Sequence, residues 1–511
     1  MDRAAAMSKP TDLSQRSISA VLWGASGSAV QLILSFGIQI ILARLLGPEQ
    51  YGLYAMALVV ISLSNFFTIG IVYGLIQKRT VTDEDVRFVN FWQLLVGTIY
   101  AVAVFLLAET VAGFFQEPRV APLIRAMSIV CLIQAAAAPS WVLLNRDLDF
   151  KSVYLASIVS YAVGYGLVGI PLALSGYGVG ALVMAFITQN LLGLAIQYGC
   201  KRHVLGLVIW HRDAYALCSY GATVIATNIN NWALANLSRV VVGRVFPSAA
   251  LGLYAMSYNL AMQLAGFVMG AVQAPLFSAS SRVQDDVARL RMVFLTMLAA
   301  TALLAAPVCA GVAAAPQTVM LTLYGPQWGE SAPLLRAFAL AVPFFIATAM
   351  GTPMLWTSGR TTQEFKFQLP IAFALAAAAY VAAQHSLAAV AWAVLGIFVL
   401  RFIVITTAAC VALDLRIRHI ATAFRAGVAV TVLVAGAVAL VDGLAAHMTD
   451  QRQVVLALDA ATGLVAQVIA LRSCRAWFSP EVRTLFETLL ARLPRGLAPF
   501  GESILLARKR I

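Results

Sequence analysis

The residues with the most chemical potential are arginines in apolar surroundings: Arg44, Arg125, Arg239, Arg244 and Arg336. A guanidinium is a planar fork that meets phosphate oxygens two at a time and stays charged at any physiological pH. Within an apolar stretch it is costly, so it faces a cavity, a partner or lipid phosphate. Two readings stand for these five. They hold an anionic head group together, or each snorkels to lipid phosphate or caps a helix end. Arg401, in the middle of an apolar run, reads as a packing residue paired with a backbone carbonyl or a carboxylate. Asp459 reads as an interfacial acid.

Catalytic patterns are scarce. The five histidines form no HExxH and no close pair, and the six cysteines contain no CxxC, so neither a metal site nor a disulfide framework is expected. Asp147-Leu148-Asp149 has the DxD form that holds metal–nucleotide groups, but no nucleotide-binding sequence surrounds it. Asp83-Glu84-Asp85 reads as the acidic start of a helix. No P-loop is present, so ATP hydrolysis in this chain is not expected to drive anything. Amides and small polar residues are more suggestive. Gly24, Ser28, Gln31, Ser35 and Gln39 recur every three or four residues, which places them on one helical face. Thr223, Thr227, Asn228, Asn231 and Asn236 make a second polar stretch. Such faces either glue helices together or line a watery cavity; Gln31, Gln39, Asn228 and Asn231 are the candidate cavity residues.

The elements that must carry these residues follow from composition. The chain has 511 residues, 61% hydrophobic and only 11% charged, whereas soluble domains run about 25% charged. Apolar stretches of spanning length run from 17–46 to 453–472, about fourteen in all at about 20 residues each. The expected fold is an all-α polytopic membrane protein. With the N-terminus inside, 27 of the 35 Lys and Arg fall at inner loops and tails, and only Arg44, Arg119, Arg125, Arg239, Arg244, Arg336 and Arg452 fall outside. That asymmetry puts both termini in the cytoplasm. The net charge of +13 is then topology and anionic lipid, not nucleic acid.

An internal repeat organises the spans. Arg44–Met56 reads RLLGPEQYGLYAM, and 200 residues later Arg244–Met256 reads RVFPSAALGLYAM. A second pair, APLIRA at 121–126 and APLLRA at 332–337, is offset by 211, which fits a lengthened loop in the second copy. The expected layout is an inner tail (1–16), a first lobe of six spans (17–205), a second lobe of six (206–412), two appended spans (413–472) and a cytoplasmic tail (473–511), with an amphipathic helix from about Pro480 to Leu493. No outer loop is expected to exceed about ten residues.

With these segments in view, ILARLLGPEQYGLYAMALVV (41–60), LIQKRTVTDEDV (75–86), LNRDLDFKS (144–152) and GRVFPSAALGLYAMSYNLA (243–261) resemble bacterial polysaccharide flippases of the Wzx type. These belong to the multidrug/oligosaccharidyl-lipid/polysaccharide exporter superfamily. The resemblance implies a non-enzymatic transporter in the bacterial inner membrane, with two lobes forming a V-shaped central cavity and working by alternating access. Its implied substrate is an undecaprenyl-pyrophosphate-linked oligosaccharide repeat unit, whose pyrophosphate the five arginines would hold. A polysaccharide polymerase and export machinery are the implied partners. No cofactor is implied, and the coupling ion, H+ or Na+, is left open. Relatives tend to carry an acid where this chain has Leu237-Ser238-Arg239, which questions any ion role there. The last two spans are similar to those that give some flippases a groove for the lipid tail. A cation-coupled drug exporter of the same superfamily and a membrane glycan polymerase or ligase are the competing expectations.

Overall fold

The computed structural model describes residues 10–64, 72–76, 78, 80–280, 287–357, 361–478 and 483. The tail helix expected at Pro480–Leu493 lies outside the described residues, apart from Arg483. Every regular element among the described residues is helical. They group into two compact units, Met1–Gly252 and Leu253–Ile511.

The first unit opens with α1 (Pro10–Ile61), whose axis breaks at Gly47 with φ 74 and ψ 175. Only glycine takes that conformation cheaply, and the proline after it removes a helical hydrogen bond. Leu-Leu-Gly-Pro in the sequence therefore separates two spans inside one continuous element. Next come α2 (Asp83–Leu106), α3 (Ala108–Phe115) and α4 (Val120–Arg146). α5 (Phe150–Tyr161) runs through a π-helical stretch, Ala162–Gly169, into α6 (Ile170–Leu174), then α7 (Val179–Cys200) and α8 (Ala214–Val245). Wide π turns of this kind open the backbone ladder and often mark working parts of a helix. Here the stretch aims Tyr165 at Tyr54, hydroxyl to hydroxyl at 2.7 Å.

α9 (Ser248–Ser280) begins in the first unit. Its first residues, up to Gly252 at the head of the second Gly-Leu-Tyr-Ala-Met, pack on the first copy within that unit. A Cβ on Gly52 would lie 1.7 Å from the Ser248 carbonyl oxygen, and one on Gly252 would lie 1.8 Å from the Pro48 carbonyl oxygen. The repeat thus supplies two glycines that let two backbones touch, one from each copy.

The second unit continues with α10 (Val287–Ala300), a π turn at Thr301–Ala305, α11 (Ala306–Ala314), a short α12 (Pro316–Leu323) and a 3-10 turn at Pro326–Ser331. α13 (Ala332–Thr357), α14 (Thr361–Ala383), α15 (Leu387–Ala412), α16 (Ile417–Met448) and α17 (Arg452–Ser473) complete it. The segment between α11 and α13 is longer than the ten or so residues expected and folds into α12 and the 3-10 turn. The eight-residue connection between α12 and α13 (324–331) is longer than the four-residue turn between α3 and α4 (116–119), and supplies part of the extra length implied by the offset of the two APL(I/L)RA segments. Lipid is as apolar as leucine, so helices associate through close contact of small residues. Ala423, Ala426, Val430, Val434 and Val438 form one buried face of α16, and a Cβ on Gly427 would meet Ala302 of the π turn at 2.4 Å.

Eleven helices among the described residues are long and apolar enough to cross a membrane. That number does not reach the expected fourteen for identifiable reasons. The kinked α1 is one element by backbone hydrogen bonding though it holds two of the expected stretches. α8 and α9, at 32 and 33 residues, are long enough but fall outside the eleven, and α8 is diluted by its asparagines, threonines and serines.

Candidate functional site

In the first unit the arginines collect at one end, where α1 bends and α3 gives way to α4. Gln116 closes α3 in a left-handed conformation, and the tight turn brings Glu117 and Arg119 together. Arg119 donates to Glu117 at 2.8 Å and to Glu49, past the α1 kink, at 2.7 Å. The Arg119 guanidinium holds the Glu117 carboxyl below the usual range, and the two acids raise Arg119 in return. Gln50, next in sequence, accepts from the Val179 backbone N–H at 2.8 Å. These links clamp the kink to the starts of α4 and α7.

Around that clamp lie the sequence candidates. Arg125 on α4 pairs with Glu109 at 2.6 Å and lies over the Phe105 ring at 5.8 Å. Arg244, in the last turn of α8, lies over the Phe114 ring at 5.7 Å. Its Nη1 is buried without a hydrogen-bond partner, so part of its donor capacity is unspent. Gly243 beside it packs against Phe115 and Leu251, which fixes the helix end that carries Arg244. Arg44 is exposed on α1, three residues before the kink, and Arg239 is half-buried on α8. Arg336 belongs to the second unit, on α13, where its Nε donates to the Ala313 carbonyl at 3.1 Å. The structure therefore gathers Arg125 and Arg244 on neighbouring rings of α2 and α3, and places Arg336 in a separate unit. Gln31, Gln39 and Asn228 are half-buried and Asn231 is exposed. α8 is tied to α1 by Trp232, whose indole N–H donates to Ser62 Oγ at 2.8 Å.

Two further ionisable residues lie in the second unit. Arg401 is paired with an amide: its Nη2 donates to Gln368 Oε1 at 2.7 Å. The Gln368 NH2 donates in turn to Glu364 one helical turn away, and the Glu364 charge also acts on Arg401. Asp459 is buried against α16 at 5% exposure.

The acidic motifs have structural employment. Asp149 caps α5, accepting from Ser152 N at 3.1 Å, and Asp147 pairs with Lys201 at 2.5 Å. Asp85 completes a capping box with Thr82 at the start of α2. It also accepts from Lys78 at 2.6 Å and from His211 at 2.7 Å while its own side chain is fully buried. Lys78 reaches Asp213 as well, at 2.7 Å. Burial alone would lower the Lys78 ammonium, but Asp213 and Asp85 outweigh it and hold it above the usual lysine range. Sequence reasoning saw the acids but not this cluster, because its members come from positions 78, 85, 211 and 213. Nearby, His203 is buried between Ser140 Oγ at 2.9 Å and Asn90 Oδ1 at 3.2 Å, and burial pushes its imidazole below the usual histidine value. Both clusters pin the extended segment between α7 and α8 to α2 and α4.

Residues 41–333, which include the kink, the clamp and both Gly-Leu-Tyr-Ala-Met copies, match the family described as polysaccharide biosynthesis protein. The chain belongs to that family. It is 24% identical over 366 residues to the lipopolysaccharide biosynthesis protein WzxC of Escherichia coli (strain K12), covering 70% of this chain and 73% of that one. It is 26% identical over 327 residues to the succinoglycan biosynthesis transport protein ExoT of Rhizobium meliloti (strain 1021), covering 62% and 66%. Among solved structures the lipid II flippase MurJ, in an inward closed conformation, superposes with a TM-score of 0.70 at 13% identity, covering 88% of this chain and 98% of that one. At that identity the likeness establishes the fold. The resemblance to Wzx-type flippases carried by residues 41–60 and 243–261 is borne out.

Proposed function

We propose that this chain flips undecaprenyl-pyrophosphate-linked oligosaccharide repeat units across the bacterial inner membrane, for assembly of exopolysaccharide or lipopolysaccharide O-antigen. The observation that carries this is the family match across residues 41–333. Named relatives within reach of it serve lipopolysaccharide and succinoglycan synthesis, and the chain has the fold of a lipid II flippase. In this reading the chain moves its substrate without making or breaking a bond in it, and hands it to a polymerase and export machinery on the far side. Arg244 is the first candidate for the pyrophosphate, since its Nη1 has no protein acceptor. Arg44, Arg125, Arg239 and Arg336 are further candidates, of which Arg125 would have to release Glu109.

The test is a strain lacking the gene. Lipid-linked repeat units should accumulate on the inner leaflet, and the wild-type gene should restore their appearance outside. Repeat units that reach the outer leaflet at the normal rate without the protein would refute the proposal. For orientation, Thr80→Cys should be shielded from impermeant thiol reagents applied outside, and Gln384→Cys should react. The reverse pattern would overturn cytoplasmic termini.

A further inference from the structure

The C-terminal helices α16 and α17 enclose an acid with no visible counterpart. Asp459 lies seven residues into α17, about 10 Å along its axis, and is 95% buried by the complement of its 5% exposure. Neither of its carboxyl oxygens has a hydrogen-bond partner. Asp442 of α16 faces it within hydrogen-bonding reach. The Thr318 hydroxyl of α12 donates to Asp442 Oδ1 at 2.5 Å, which leaves the other oxygen for Asp459. A cavity of about 320 Å³ opens on Asp459, walled by Gly311, Val319, Val438, Gly463 and Leu464. Gln467 is the other polar wall residue, and its amide nitrogen is turned to the Leu303 carbonyl at 3.2 Å.

Among the described residues no cation answers these acids. The residues lining the cavity include no lysine, arginine or histidine. On α17, Arg452 and Arg472 stand at the two ends; on α16, His447 is exposed in the last turn. Arg425 of α16 lies over Trp477, at the far end from Asp442. α11 brings Cys309, buried but not on the wall, and α12 brings no titratable side chain. Arg291 of α10 is held by Leu413 and Asp414, before α16 begins. Two carboxylates facing each other in an apolar setting repel, and the buried Asp459 loses its hydration as well. What such a pair lacks is one hydrogen between two oxygens. Ionisable groups at this depth persist where they bind something.

We propose that Asp442 and Asp459 form a proton-binding site, with one proton shared between the two carboxyl groups and the single remaining charge supported by the Thr318 hydroxyl. A hard metal cation would need several more oxygen ligands than two carboxyl groups and a hydroxyl, and among the lining side chains only Gln467 adds an oxygen. The site stands apart from the arginines and does not depend on which molecule the chain carries.

The test uses the full-length protein in lipid nanodiscs and dicyclohexylcarbodiimide, an apolar reagent that modifies protonated carboxyl groups, with the modified residue located by mass spectrometry. Asp459 or Asp442 should be modified at about pH 7, where an isolated aspartate is ionised, and the modification should fall more than tenfold under strongly alkaline conditions. Sodium or potassium chloride should not protect it. Asp442→Asn removes the repelling charge and offers Asp459 an amide donor, so modification of Asp459 at neutral pH should fall more than tenfold. Absence of modification in the wild-type protein at neutral pH would overturn the proposal, as would protection by sodium, which would mark a metal-cation site. Unchanged modification in the Asp442→Asn protein would overturn the shared proton. The wild-type arms need no variant to fold.

Discussion

Replacing Gly52 by alanine tests whether the duplicated glycines are there for backbone contact. The new methyl would stand 1.7 Å from the Ser248 carbonyl oxygen and 3.1 Å from Gly252 N. A side chain could rotate away from such a contact; a helix carbonyl cannot, so the two segments must part by more than about 1 Å, against the close packing of interiors. Overpacking of this kind costs about 1–3 kcal/mol, and rigid backbone as the obstacle places it at the upper end. Alanine returns about 1 kcal/mol of helix propensity. The net loss is therefore about 2 kcal/mol, or a fall in melting temperature of roughly 4–8 °C for a unit of about 250 residues. Gly37 on the same helix is the control, because a Cβ there meets nothing within 4 Å and Gly37→Ala keeps only the propensity gain. The assay is fluorescence-detected thermal unfolding of the purified protein in one detergent. If Gly52→Ala melts with the wild type while Gly37→Ala rises, the contact does not constrain the fold and the argument fails.

Other expectations concern charge. Single replacement of Arg44, Arg239 or Arg244 by alanine should lower delivery of repeat units, most strongly for Arg244, while membrane levels on immunoblots stay normal; wild-type export from all three would remove the arginines from the reading. Asp85→Asn leaves Lys78 and His211 without their buried acceptor and should cost about 3 kcal/mol in thermal stability, whereas loss of no more than a surface pair would mean the cluster does not hold the α7–α8 segment. Asp149→Ala should cost about 1 kcal/mol as a lost helix cap yet leave export and its response to EDTA unchanged; abolished export with normal stability would revive a chemical role for the Asp-Leu-Asp motif. His203 is held below its unfolded value by burial, so the unfolded chain takes up its proton first. Stability should then decline as pH drops below about 6.5 towards the folded value, and His203→Gln should flatten that slope in a thermal-unfolding series against pH.

Much of the fold was legible because bilayers impose length and polarity on each span one at a time. Gly47-Pro48 announced the α1 break, and the repeated Gly-Leu-Tyr-Ala-Met marked the two glycines that come together. What those glycines do was not legible, since the partner carbonyls lie some 200 positions away in the chain. Separations of 126 and 135 positions hid the Asp85 cluster, in which a helix cap read correctly from Thr82 and Asp85 also receives Lys78 and His211. α12 escaped because PQTVMLTL is too short to show a period. The π turns at Ala162–Gly169 and Thr301–Ala305 left no pattern beyond small residues. Of the arginines, sequence identified the cations but not their neighbours: Glu109 for Arg125, Phe114 for Arg244 and the Ala313 carbonyl for Arg336 are chosen by tertiary packing.

The contact between the two Gly-Leu-Tyr-Ala-Met segments is reciprocal: each glycine admits the carbonyl that stands four residues before the other. Reciprocity of that kind is what a twofold axis imposes on the interface of a symmetric dimer. There, one substitution alters both halves at once and no asymmetric variant can exist. Joined in a single chain, the halves are freed from that constraint. Glu49 and Gln50 bear an ion pair and a cap-like link, whereas Ala249 and Ala250, 200 residues on, lack the side chains to make either. The two sides of one reciprocal contact thus carry different duties, Glu49 holding Arg119 and Ser248 bonding Glu117.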